Sequence, residues 1–250
     1  MTWVVGLAAI LSATAAWAMA AGWRQAAPRA WPMLELAATV AVVGAWTVAG
    51  TGVVHAAWTG RWIPEGLDSA LFLAGVVGTL SGNLAGVLFA ARLGFDLCLR
   101  PVPVGSLGVA AVLGAFSVGV SATYTLVLRA AGVGPPEQAV VSAASDGADA
   151  ATTAAMLVFI VLLAPITEEL LFRGIAFGAL RVRIGSAAAH GLTALVFAAA
   201  HLADPLVVPP ILVLAAMLGA LRERSGSVVP PIVAHVVNNG LAMALTLVQG

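Results

Sequence analysis

The stretch "LLAPITEELLFRG" occupies Leu162–Gly174. Its opening letters belong in hydrocarbon, yet Glu168 and Glu169 follow side by side and Arg173 comes four residues later. An ionisable side chain at the centre of a bilayer costs about 2.5–3.5 kcal/mol even on a lenient insertion scale. Residues so placed face a protein interior or a water-filled cavity, and this stretch therefore sets both the fold and the place to look for function.

The chain around it is greasy. Of its 250 residues 61% are hydrophobic and 9% are charged, with a mean hydropathy of +1.05. Soluble domains carry about 25% charged residues. This composition leaves too few polar side chains to cover a water-facing surface, so an integral membrane protein is expected, all-α, with the lipid bilayer as its first partner. The formal net charge is zero and gives no reason to expect nucleic acid. No Walker or GxGxxG pattern stands in a strand-turn-helix setting, so no nucleotide is expected either. Cys98 is the single cysteine, which excludes an intrachain disulfide. Every basic residue is arginine, and with the alanine content this points to a bacterial plasma membrane.

Charged punctuation marks off eight expected transmembrane helices, at 3–22, 33–58, 69–92, 106–131, 152–180, 186–203, 205–221 and 227–249. The first lacks the positive flank of a signal peptide and is read as a span. Two regions follow from this, a four-helix membrane region at 1–131 and a second at 132–250, opened by the acidic, small-residue loop 132–150. Arg24, Arg29, Arg92, Arg100, Arg181, Arg183, Arg222 and Arg224 fall on one side, and only Arg61 and Arg129 on the other. By the positive-inside rule both termini are expected outside the cytoplasm. Trp23, Trp31, Trp58 and Trp62 flank the first two loops as interfacial anchors.

The second region concentrates the intramembrane polar residues: Glu168, Glu169, Arg173, His201, His235 and Asn239. At the helical rise, Glu168 lies about 18 Å from its cytoplasmic end, His201 about 22 Å, His235 about 12 Å and Asn239 about 18 Å. Three antiparallel helices thus bring them to a similar level. Glu169 and Arg173 are spaced i,i+4 with the acid first, the better order for a helical ion pair. Glu168 points about 100° away on the helix and is the carboxylate left over for chemistry, a candidate general base. His235 and Asn239 also share a face, whereas Asn238 lies off it and His190 sits nearer the cytoplasmic end. Phe197, one turn before His201, is placed to cover that imidazole from lipid. Pro165 frees a backbone carbonyl and invites a kink beside Glu168.

The three groups read EExxxR (Glu168–Arg173), FxxxH (Phe197–His201) and HxxxN (His235–Asn239). In this order and spacing they resemble the CAAX prenyl endopeptidase and bacteriocin-processing (CPBP, Abi-type) family of intramembrane proteases, over about residues 152–250. The resemblance implies an endopeptidase acting on a peptide or membrane-protein substrate. Glu168 and His201 would activate the attacking water, and His235 and Asn239 would bind the oxyanion. Glu169, Arg173 and Phe197 would support them. No cofactor is expected, because no HExxH pair is present and Asn239 suits an oxyanion better than a metal. The alternative is a zinc ion on Glu168, His201 and His235, which would ionise its bound water. Two readings from other classes compete: a proton-coupled transporter, for which no internal repeat is visible, and a non-catalytic immunity or scaffold membrane protein.

Overall fold

The computed structural model describes residues 32–59, 69–134, 150–201 and 205–249. Among these, every regular element is helical. The helices are α1 (Pro32–Thr59), α2 (Ser69–Leu93), α3 (Val104–Ala130), α4 (150–184), α5 (Ser186–Ala199), α6 (Val208–Ser225) and α7 (Val229–Gln249). Five described segments are long and apolar enough to cross a membrane: Met33–Gly52, Ala74–Leu93, Val104–Ala130, Pro205–Ser225 and Val229–Val248. Of the eight expected spans, the one at 3–22 lies outside the described residues, as do Trp23, Trp31 and Trp62. The span expected at 186–203 is a helix of 14 residues, about 21 Å long against a hydrocarbon core of about 30 Å.

The chain forms two compact units, Met1–Leu97 and Cys98–Gly250. In the first, α1 and α2 pair along small residues. A Cβ added to Gly78 would lie 2.6 Å from Thr47 O, and one on Gly82 would lie 2.7 Å from Val43 O. The pair Gly78/Gly82 is a GxxxG step, and its bare backbone is what lets the two helices touch. Val42, Ala85 and Phe89 fill the contact beside it.

The second unit holds all three motifs and begins before α3, so α3 packs with the motif-bearing helices. Gly114 faces the carbonyl of Ala234 so closely that any Cβ there would collide with it. The residue after Ala234 is His235, so this contact sets the height of the histidine. Ala110, Leu214, Leu218, Leu221 and Ala234 form the core among α3, α6 and α7. On the other face of α3, Val104, Val109, Val112, Phe116, Leu126 and Val127 are exposed. A row of that size fits contact with lipid tails.

Both α6 and α7 open on the letters V-P-P, which suit a first turn whose N–H groups need no helical acceptor. Between them Gly226 takes φ 66°, the left-handed stop that glycine accepts without strain, and its N–H bonds Arg222 O. Ser227 then accepts from the N–H of Val229 at 3.2 Å and donates to Arg100 O at 2.8 Å. The N–H of Val228 bonds Cys98 O at 3.0 Å. The segment 98–100 thereby ties down the start of α7.

Candidate active site

The helix α4 runs through five successive segments: α at Ala150–Val158, π at Phe159–Leu163, α at Ala164–Glu169, π at Leu170–Ala176 and α at Phe177–Ile184. Wide π turns within α-helices are frequent at functional sites. The first has a visible cause. Pro165 has no N–H to give, and in an α turn its ring would strike the carbonyl four residues back. Widening the turn removes that clash. Pro165 is thus accompanied by a π segment one turn before Glu168.

The three motifs meet. Glu169 is wholly buried, and its Oε1 accepts from Nη1 of Arg173 at 2.8 Å and from Nδ1 of His235 at 3.0 Å. The first bond is the i,i+4 pair expected from the sequence. The second was not expected. A carboxylate can only accept here, so Nδ1 of His235 carries the hydrogen, and Nε2 is the atom turned to Glu168, 3.9 Å from its Oε2. The support given by Glu169 and Arg173 thus runs into His235, on another helix. Oε2 of Glu169 has no hydrogen-bond partner among the described residues.

Glu168 and Glu169 are adjacent yet live differently. The side chain of Glu168 is 19% exposed, whereas that of Glu169 is 0% exposed. Glu168 is the carboxylate that an incoming molecule can reach.

Phe197 sits at the centre rather than on the lipid side. It is 2% exposed, and its ring lies 5.3 Å from the ring of His201, 5.8 Å from that of His235 and 5.1 Å from that of Phe172. The guanidinium of Arg173 stands 4.6 Å from the ring centroid of Phe197, within cation–π range. The aromatic ring is therefore the piece that joins FxxxH to the other two motifs. Nδ1 of His201 donates to Phe197 O at 3.0 Å, which leaves Nε2 as the acceptor of a neutral ring.

Asn239 reaches α4 as well. Its Nδ2 donates to Ile160 O at 2.9 Å, and its Oδ1 accepts from Nδ2 of Asn238 at 3.0 Å. Asn238, off the His235 face by the helical wheel, still bears on the site through its neighbour. His190 bonds Ala216 O at 2.9 Å and packs against Gly219, which makes it a clamp between α5 and α6.

Arg222 is a site residue that sequence reasoning placed in a loop. It is 3% exposed. Its Nε donates to Arg173 O at 3.0 Å, inside the second π segment, and its Nη2 points at Sγ of Cys98 at 2.8 Å. Arg173 itself bonds Ala215 O at 3.0 Å through Nη2. The signal was available: Arg222 lies seven residues before the "VPPI" of α7, and it is spaced four and three residues from Leu218 and Gly219 on the buried side.

Among the described residues no group of three or more His, Cys, Asp or Glu side chains could hold a metal ion. The set Glu168, His201 and His235 therefore does not form a ligand cage here.

No curated protein matches the chain, and no solved structure matches it. A family model does: the one described as type II CAAX prenyl endopeptidase Rce1-like, over residues 150–241. That stretch contains all three motifs, so the chain is an integral membrane protein with a region similar to the type II CAAX prenyl endopeptidase family.

Proposed function

We propose that the second unit is an intramembrane endopeptidase in which Glu168 and His201 activate water and His235 and Asn239 bind the oxyanion. The observation that carries this reading is the unequal treatment of two neighbouring acids. Glu169 is sealed and spends its Oε1 on Arg173 and His235, while Glu168 stays open opposite Nε2 of His235.

A water bonded to Glu168 at about 2.8 Å has a base beside it. Nε2 of His201, an acceptor because Nδ1 is committed to Phe197 O, takes its second hydrogen. The water oxygen attacks the peptide carbonyl as Glu168 takes a proton, and a tetrahedral oxyanion forms. His235 can donate to that oxygen through Nε2 only when its ring carries both protons, because Nδ1–H already bonds Glu169. The second donor is Asn239. Donors fixed in advance in a dry site are worth about 2.7–4 kcal/mol each. The proton on Glu168 then passes to the departing nitrogen, leaving a new carboxylate and a free amine.

The substrate is a peptide segment presented within the bilayer. Placing the arginine-rich loops in the cytoplasm puts both termini on the far side.

The test compares the termini of membrane proteins by mass spectrometry in cells carrying the wild-type chain or Glu168→Ala. New termini that vanish in the variant, while the protein still inserts, support the reading. Identical termini in both reject it.

A further inference from the structure

The fate of one backbone carbonyl couples Pro165 to Asn239. In the first π segment the N–H of Ala164 bonds Phe159 O, five residues back. The same register would send the N–H of residue 165 to Ile160 O. Residue 165 is proline and has none. Ile160 is buried, and a buried carbonyl without a donor is costly. The donor it finds comes from another helix, Nδ2 of Asn239 at 2.9 Å.

We infer that Pro165 is a positioning residue for Asn239: by withholding an N–H from Ile160 O, it creates the acceptor that fixes the amide of Asn239. This rests on the oxyanion role proposed above and sharpens it. An asparagine amide has two N–H donors and one oxygen. One N–H is spent on Ile160 O, and the oxygen is spent on Nδ2 of Asn238. A single N–H remains, with its direction set by the other two bonds, and that hydrogen is the one available to an oxyanion. Without the bond to Ile160 O, the amide can turn, and the donor is no longer aimed.

Pro165→Ala tests this in an unusual direction. Alanine restores an N–H at a buried helical position and favours the helix, so the variant should be at least as stable as the wild type. It should nonetheless turn over more slowly, because the new N–H competes for Ile160 O. The expected result is a fall in kcat of ten-fold or more with KM unchanged. In an Asn239→Ala background the same substitution should have no further effect on kcat. A merely structural proline would give equal losses in both backgrounds, and that additivity would overturn the inference, as would a wild-type kcat in Pro165→Ala.

A second readout needs no substrate. In asparagine-labelled protein in lipid nanodiscs, the side-chain NH2 signals that disappear in Asn239→Ala belong to that amide. They should shift in Pro165→Ala, and unmoved signals would refute the coupling. Glu168→Ala is the control that separates the two ideas. If it leaves cleavage intact, the endopeptidase reading fails and the NH2 signals alone decide the coupling. If it abolishes cleavage while Pro165→Ala acts as wild type, only the coupling fails.

Discussion

Nδ1 of His235 lies 3.0 Å from Oε1 of Glu169, the same oxygen that Nη1 of Arg173 reaches at 2.8 Å. One carboxylate oxygen thus joins two helices, and the charge of Arg173 faces a partner that is itself shared. The consequences can be tested one residue at a time.

Glu169→Ala should be among the most damaging single changes for folding. It leaves Arg173, 1% exposed, as a buried charge without its carboxylate, a loss of about 3–5 kcal/mol in comparable sites. Denaturation in detergent should show a large drop, whereas Glu168→Ala should leave the transition close to wild type. Equal stability of the two variants would contradict the division of labour between the acids.

Arg222→Met should lose the bonds to Arg173 O and Cys98 Sγ and cost about 1.5–3 kcal/mol. Arg222→Lys should not recover it, because an ammonium cannot reproduce the forked donors. Arg224→Ala, at an exposed position of the same turn, should stay within about 0.5 kcal/mol. Chemical denaturation of the three variants side by side supplies the comparison.

Phe197→Ala should cost about 3–5 kcal/mol, because the ring packs on His201, His235, Phe172 and Arg173 at once. Phe197→Leu should retain part of the packing but none of the ring contacts. If the alanine variant melted like wild type, Phe197 could not be the element that joins the motifs.

Gly114→Val should separate α3 from α7 by driving a side chain into Ala234 O. Overpacking of this kind costs about 1–3 kcal/mol. The substitution also displaces His235 from Glu168, so cleavage should fall further than stability does. Gly119, with nothing near its missing Cβ, is the control position.

If Glu168 and His201 alone activate the water, as proposed, a chelator should leave cleavage unchanged. Metal analysis of the purified protein together with an activity titration checks this. Stoichiometric zinc whose removal stops cleavage would return the attacking water to the metal.

Much of this organisation is legible in the letters, because membrane composition and i,i+4 spacing are local properties. The Glu169–Arg173 pair lies within one helix and follows from spacing alone. The bond from His235 to Glu169 spans 66 residues and depends on how α7 is rotated, which Gly114 and the turn at Gly226 decide. Arg222 illustrates a different gap. Arginine near a helix end usually signals a cytoplasmic loop, but a guanidinium with a carbonyl, a sulfur and an aromatic face within reach stays inside. Pro165 marks a third gap: helical wheels assume α geometry, and α4 leaves it twice.

Each wide turn in α4 accommodates one more residue than an α turn would. Deleting a single amino acid between Phe159 and Leu163 would remove that extra residue while Pro165 stays, so the ring would again press on the carbonyl four residues back. The acids would keep their neighbours in the chain and lose Ile160 as a landing place for the opposite helix. Chain length at this point is therefore a setting for aim, and a shortened relative would need a different way to hold its amide.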